Sequence, residues 1–431
     1  MTVPVTLPDV ASRPAASART RSTKPGVFSH GPTLFGTALL ALVAIQTIAE
    51  LLLRVRRNQV KVEDVFGHVT GWRLASRGGG GQLYDIATQR ALQRSIRGSD
   101  ADRDLLAYLY PPHLTPLFRP LARFDPQSLQ RALLLINIVF AGLFMVWAGR
   151  RFRYWGRSEL LLAGTFVASF LPLWYSAYRG QFATMYLLAC AGLLGALEGQ
   201  RWWVAGAMLL VLSWKPPIIA LLLLALFVAK RTRPAVWRFG ILASICSTIS
   251  AWWLGPEAFT GYLRIVRATS ATDGANVLTI DVMATVRSLL ESWNLSAGSA
   301  TSINRVVFVI GVVLSVLIFR NSKIPVAHQY ATVLAVSAAT SLYQYPYDLA
   351  PLLVSVAVLW DSIRLGSPRS RGLFAGVLVA ANIALVSAFQ VSKLGDPPVI
   401  AACALAVAWV LRVTMSCREA RSLTPRALAI R

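Results

Sequence analysis

The sequence predicts an all-α polytopic membrane protein with two long loops on one face, and three observations carry that prediction. The chain has 431 residues, of which 55% are hydrophobic and only 14% charged, with a mean hydropathy of +0.55. Apolar segments close to the roughly 20 residues that a ~30 Å hydrocarbon core requires recur from Phe35 onward. The segments show no short alternating strands of the kind a membrane barrel needs, so the spans are helices whose backbone groups are satisfied internally. We expect about 10–13 transmembrane helices by this criterion.

The charge balance, 43 Lys and Arg against 19 Asp and Glu for a net of +24, excludes nucleic acid as a partner because of where the charge sits. Most basic residues fall in short clusters between apolar segments, where they hold a loop on the cytoplasmic side and meet anionic membrane lipids. The four cysteines, Cys190, Cys246, Cys403 and Cys417, have no metal-ligand spacing and read as inert.

In chain order, residues 1–34 are rich in Pro, Ser, Thr and Arg and read as a disordered cytoplasmic tail. Residues 35–412 form one polytopic domain, and 413–431 a basic cytoplasmic tail. The first apolar segment, Phe35–Leu53, lacks a small-residue cleavage site and reads as a retained helix. Spans are expected near 35–55, 128–149, 159–177, 182–198, 202–214, 216–229, 239–254, 302–319, 327–343, 348–363, 372–391 and 397–412. The fifth and sixth are short, and Lys215-Pro216-Pro217 lies between them, so they are tilted, re-entrant, or one broken helix.

Five basic loops, at 150–157, 230–238, 320–323, 364–371 and after Arg412, then fall on one side, which is the cytoplasmic side. Arg54, Arg56, Arg57 and Lys61 argue locally for the opposite sense, and the five concordant loops outweigh them. The other side receives a loop from about 56 to 127, a second from about 255 to 301, and the turns at 178–181, 215–217 and 343–348. Long loops without a cytoplasmic signature are usually functional. Each carries an amphipathic helix: Asp85 caps "IATQRALQRSI", with Ile86, Leu92 and Ile96 on one side, and Asp281 caps "VMATVRSLLESW". Such faces lie in the membrane interface.

Several residues on that side can carry chemistry. Asp64 follows the first span directly, where a carboxylate needs a partner or a purpose; the competing reading is that Glu63 and Asp64 balance Arg56, Arg57 and Lys61. The run "SRGGGGQLYD" at 76–85 offers amides for an anion but lacks the frame of a nucleotide loop, and a hinge explains its glycines. "YLYPPHLTPLFRPLARF", 108–124, is too rich in proline to cross as a regular helix. His113 within it is either a ligand donor or an interface residue bonded to the protein. In "YRGQF", Arg179 can reach a phosphate and Gln181 a ligand near a helix N-terminus, or the arginine simply snorkels. Lys215 interrupts a long apolar run, which makes an ionisable group a functional candidate by default. Asp348 enters the tenth span beneath aromatics able to stack on sugar faces. Serine-triad, HExxH and CxxC motifs are absent, so the chemistry falls to carboxylates and cations, with no metal and no cofactor.

These residues stand in a recognisable order. Asp64-Val65-Phe66, Leu83-Tyr84-Asp85, Tyr110-Pro111-Pro112, Pro120-Leu121, Gly180-Gln181, Ala205-Gly206 with Lys215-Pro216, and a weaker Tyr347-Asp348-Leu349 together resemble glycosyltransferase family 87. That family belongs to the GT-C membrane superfamily and includes bacterial polyprenyl-phosphate-mannose-dependent mannosyltransferases. "GQF" stands where the family often has "GQ" then Asn, and His68 where a tyrosine is common. The resemblance implies a GT-C fold and a hexosyltransferase of the plasma membrane with its site on the extracytoplasmic face. Its implied partners are a polyprenyl-phosphate sugar, mannose by analogy, and a glycan or glycolipid acceptor. It also implies that Asp64 is the general base; by their chemistry Arg179, Lys215 and His113 are the candidates to bind the donor phosphate, and Gln181, Tyr110, Tyr347 and Asp348 those to bind substrate. Other classes consistent with the sequence are a lipid-linked sugar flippase or small-solute transporter, and a noncatalytic assembly subunit. A transporter would show paired broken helices in repeated halves, and no such repeat is visible.

Overall fold

A computed structural model describes residues 31–56, 63–78, 80–97, 105–270 and 283–363, with a few more between 376 and 412. Among these residues the regular structure is helical. In chain order the helices are α1 (Gly31–Arg56), α2 (Glu63–Ser76), α3 (Ile86–Arg97), α4 (Pro126–Arg151), α5 (Arg157–Ser169), α6 (Leu171–Arg179), α7 (Ala183–Glu198) and α8 (Trp202–Leu212). They continue as α9 (Pro216–Val228), α10 (Arg233–Leu254), α11 (Glu257–Ser270), α12 (Val286–Ser292), α13 (Ala297–Arg320), α14 (Val326–Thr340) and α15 (Leu352–Ile363). Among the described residues three 3-10 segments, Gly80–Gln82, Pro112–Arg123 and Pro346–Leu349, complete the frame.

Among the described residues five helical stretches are long and apolar enough to cross a membrane: Pro126–Arg151, Arg157–Arg179, Arg233–Leu254, Ala297–Arg320 and Pro346–Ile363. Shorter apolar helices cover Ala183–Glu198, Trp202–Leu212 and Pro216–Val228. The chain is therefore an all-α polytopic membrane protein. Its outward faces agree. On α10 the exposed residues Trp237, Ile241, Ile245, Ile249 and Trp252 form one apolar stripe, and Val306, Val309, Ile310, Val313 and Leu317 do the same on α13. A helix that is apolar on its exposed side is solvated by lipid.

The core is organised around α7, which packs against α4, α6, α8, α14 and α15. Small residues make this possible: Ala183, Ala189, Ala191 and Ala196 are all buried on it, and the Tyr330 hydroxyl donates to the Cys190 carbonyl at 2.9 Å. Gly206 has a similar use on α8, where a Cβ would meet Arg238 Cβ and Phe239 N of α10 at 2.8 Å. Ala205-Gly206 is thus a close helix crossing.

Contacts sort the loops into two ends. Arg151 bonds Glu198, Tyr154 and Trp155 both bond Asp361, and Arg231 bonds the Ile324 carbonyl and Gln329, so the loops at 150–157, 230–238 and 320–323 gather at one end. At the other end Ala284 N–H donates to the Gln344 carbonyl at 2.6 Å, and Ser250 Oγ to the Pro112 carbonyl at 2.7 Å. The long loops meet the turn at 343–348 there.

Several expectations need correction. The third span is two helices, because the chain leaves helical geometry at Phe170 (ψ 99°) and Pro172 opens the next segment. The fifth and sixth spans, read as tilted, re-entrant or one broken helix, are α8 and α9, interrupted at Lys215 with Pro216 as the first residue of α9, in keeping with the last of those readings. Helix α1 begins at Gly31, inside the stretch read as tail. In the second loop the helix starts only at Val286, where Thr285 accepts the Ser288 N–H at 3.2 Å as its cap; Asp281, most of the spans at 372–391 and 397–412, residues 1–30 and the tail at 413–431 lie outside the described residues. Asp85 does cap α3, accepting the Thr88 N–H at 2.7 Å. Of the glycine run, Gly80 is buried where a Cβ would overlap the Leu254 carbonyl at the end of α10. Close backbone packing explains that glycine.

Candidate functional site

The site is assembled where α2, α6, the start of α7, the break before α9 and the Pro346–Leu349 turn converge. Asp64 lies in the first turn of α2. Two buried glutamine and asparagine side chains on α4 fix the strap opposite it. Gln130 Nε2 donates to the carbonyls of Ala177 and Tyr178 at 2.9 Å, closing the end of α6. Asn137, two turns further along the same face, donates to the Gln181 carbonyl at 2.9 Å and accepts the Thr184 hydroxyl at 2.7 Å. Between them Gly180 takes a left-handed conformation, φ 70° and ψ 35°. A side chain there would overlap Gln130 Oε1 and Val65 Cγ2, so only glycine lets the strap pass this close to α2.

The result is that Arg179 and Gln181 both reach Asp64. Gln181 Nε2 donates to Asp64 Oδ2 at 2.8 Å, across 117 residues of sequence. Arg179 Nε lies 3.6 Å from the same oxygen. The Tyr110 hydroxyl donates to Gln181 Oε1 at 2.9 Å, which fixes the amide so that its N–H₂ faces the carboxylate. Among the described residues none hydrogen-bonds Asp64 Oδ1.

The second half of the site holds Lys215 and Asp348. Lys215 Nζ is 2.5 Å from Asp348 Oδ1, while Asp348 Oδ2 accepts the Tyr345 N–H at 2.9 Å. The ammonium lies 4.5 Å from the Tyr347 ring centre, within cation–π range. Tyr347 stacks on Tyr175, with centroids 5.8 Å apart, and Tyr175 lies under Arg179 at 5.6 Å. Tyrosine rings therefore join the two charged pairs into one cluster.

His113 stands to one side. Its Nε2 lies 2.8 Å from Ser213 Oγ, two residues before Lys215, and burial holds its pKa down at about 4. Its contact is with the protein, on the 3-10 shelf beneath α2. His68, one turn after Asp64, stood in the sequence only as a departure from the family's usual tyrosine. It is 1% exposed and enclosed by Trp72, Tyr110, Phe182 and Trp214. Burial first, then the charge of Lys215, hold its pKa down at about 3, with the Gln181 amide acting in the opposite direction. Neither ring nitrogen has hydrogen-bond geometry to a described residue. Gln130 and Asn137 were also missed, although polar residues seven apart in an otherwise apolar helix are a signal in a membrane protein. Among the described residues there is no cluster of three His, Cys, Asp or Glu able to hold a metal.

No curated protein and no solved structure matches the chain significantly. The family model described as glycosyltransferase family 87 does match, over residues 108–343. This span takes in Tyr110, His113, Arg179, Gln181 and Lys215, while Asp64 on one side and Tyr347 and Asp348 on the other lie beyond it. The match covers more than half of a chain whose helices cross a membrane and whose order of motifs agrees with it, and the protein is therefore a membrane-embedded member of glycosyltransferase family 87.

Proposed function

We infer that this glycosyltransferase moves a hexose, mannose by our reading, from a polyprenyl-phosphate donor to a glycan or glycolipid on the extracytoplasmic face of the plasma membrane. The acceptor hydroxyl attacks the anomeric carbon as the bond from that carbon to the phosphate oxygen breaks. One direct displacement inverts the centre. The hydroxyl proton passes to Asp64 Oδ1, while Gln181 holds Oδ2. The departing polyprenyl phosphate gains negative charge, which Arg179 and Lys215 stabilise without a nucleotide or a chelated ion. His113 supports the same subsite through Ser213, Tyr347 braces Lys215 beside Asp348, and the half-buried Tyr345 gives an aromatic edge for a sugar.

The observation that supports this best is the meeting of Asp64 with Arg179 at 3.6 Å, at the end of the bundle remote from the loops at 150–157, 230–238 and 320–323. A carboxylate and a cation placed together beside lipid suit a reaction whose nucleophile loses a proton as its leaving group gains charge. The test is to offer purified protein in lipid a radiolabelled polyprenyl-phosphate mannose with extracted membrane glycolipids. Label should appear in a glycolipid with the wild type and fall by about 10²-fold or more with Asp64→Asn, the loss expected for a general base. Full turnover by a well-folded Asp64→Asn protein would remove that residue from the mechanism.

A further inference from the structure

The 3-10 shelf Pro112–Arg123 has two unlike sides. Inward, Phe118 stacks on both Trp72 and Trp214, with ring centres at 5.3 and 4.1 Å, and Leu114, Thr115 and Ala122 are buried. Outward it shows Leu117, which is 69% exposed, together with Arg119 and Arg123, and the exposed Phe124 follows directly. The shelf is tied down at both ends. Ser250 Oγ of α10 donates to the Pro112 carbonyl, and Arg73 of α2 donates to the carbonyls of Ala122 and Phe124 at 3.1 and 3.3 Å.

Beside this outer side the lipid-facing stripe of α10 runs out at Trp252. Arg119 Cζ lies 4.5 Å from the ring centre of the adjoining Trp253, and Arg123 Cζ lies 5.4 Å from that of Phe124. A helix face solvated by acyl chains gives way at its end to headgroups, and a surface that mixes apolar residues with arginines is suited to that zone. Among the described residues no carboxylate forms an ion pair with Arg119 or Arg123. Asp125, two residues beyond Arg123, is engaged in capping α4, where it accepts the Ser128 N–H at 2.9 Å. A guanidinium stacked on a ring keeps its edge N–H groups free, and those match phosphate oxygens in pairs.

We propose that Arg119 and Arg123 hold the phosphate of an anionic membrane phospholipid whose acyl chains lie along Leu117, Trp252 and the α10 stripe. Both halves of the surface are then satisfied: the cations meet a phosphodiester, and the apolar residues meet chains. A zwitterionic headgroup brings an ammonium as well, which the two arginines repel. A free phosphate leaves Leu117 and Trp252 uncovered. The site stands apart from the cluster around Asp64 and does not depend on the reaction assigned there.

A ligand that binds only the folded state raises the unfolding midpoint according to its affinity. The test follows that midpoint for the full-length protein in detergent as dihexanoyl phosphatidylglycerol is added. Dihexanoyl phosphatidylcholine is the control with the same chains, and glycerol 3-phosphate the control without them. The wild type should respond to phosphatidylglycerol at lower concentration than to phosphatidylcholine, and not to glycerol 3-phosphate. Arg119→Gln and Arg123→Gln should each weaken phosphatidylglycerol binding by about 5-fold, the ordinary worth of one arginine at an anionic lipid surface, with phosphatidylcholine unchanged. Arg305→Gln removes the same charge from the exposed side of α13, whereas the shelf packs against α2, α10 and α11; it should change neither. An equal loss in Arg305→Gln would reduce the effect to overall charge and overturn the site. So would full affinity in both shelf variants, or a wild type that does not distinguish the two lipids. A response to glycerol 3-phosphate equal to that of phosphatidylglycerol would make it a free-phosphate site and overturn the lipid. Should Arg119→Gln lower the midpoint before any lipid is added, Arg123→Gln decides alone.

Discussion

Lys215 and Asp348 face each other across 2.5 Å at the point where one apolar stretch breaks and another turns back, and almost no solvent reaches either side chain. The break at Lys215 gives its side chain room to leave the helix axis, and the Pro346–Leu349 turn holds the carboxylate beneath two tyrosines. Removing one partner leaves the other charged and buried, which typically costs about 3–5 kcal/mol. We expect Lys215→Met to lower the thermal midpoint in detergent sharply, and the double substitution Lys215→Met with Asp348→Leu to recover much of the loss. A single substitution as stable as the wild type would show that the pair is not a structural clamp.

Gly180 should tolerate no side chain. Gly180→Ala sets a methyl against Gln130 and Val65 and forces a left-handed backbone that costs roughly 1–2 kcal/mol for an L-residue. The strap carrying Arg179 and Gln181 must shift, so transferase activity should fall further than stability. Gly142→Ala on α4 is the control: nothing lies near its Cβ position, and a helical Gly to Ala change is worth roughly 0.5–1 kcal/mol in the stabilising direction. Thermal unfolding and initial rates, measured together, separate the two effects.

Tyr110→Phe removes only the hydroxyl that fixes the Gln181 amide. A neutral hydrogen bond is worth about 0.5–1.5 kcal/mol, so kcat should fall by roughly 2- to 13-fold. The expected pattern is a lower kcat with little change in the donor KM, because in the proposed mechanism Tyr110 acts on Asp64 through Gln181. A change confined to KM would point to direct contact with the substrate.

The buried His68 and the half-buried His113 make stability depend on pH. His68 and His113 have pKa values held down at about 3 and about 4, against an ordinary value near 6.5 in an unfolded chain. Between those limits the unfolded state binds more protons, so stability rises with pH there. Their contribution is fully present above about pH 6.5 and is lost progressively as the pH falls toward 3 to 4. His68→Phe should flatten the profile of unfolding midpoint against pH between 6.5 and 4.5. An unchanged slope would mean that other groups set it.

Much of the scaffold was legible because membrane helices declare themselves by length. Lys215 and Asp64 also stood out, since a charge beside a long apolar run needs a reason. What could not be read was the partner of each charge. Arg179 and Lys215 were both assigned to a ligand's phosphate, yet each faces a carboxylate more than a hundred residues away in sequence. Gln181 was read as a ligand contact, whereas its amide is spanned between Asp64 and Tyr110. The break at Phe170 was missed because the segment is apolar throughout and only Pro172 marks it. Hydropathy records where a chain prefers lipid and is blind to a kink that leaves composition unchanged. His68 was passed over because nothing in its neighbours along the chain shows that four aromatic rings close around it.

The lipid-facing stripe of α10 has one more consequence. Trp237 and Trp252 cap it at either end, and Trp252 is 88% exposed. At a rise of 1.5 Å per residue they are about 22 Å apart along the axis, less than a ~30 Å hydrocarbon core, so the more exposed Trp252 is the ring free to keep the headgroup level that indoles prefer. Leu254, just beyond it, is the residue whose carbonyl Gly80 packs against, so the loop that carries Gly80 is moored at the depth of that ring.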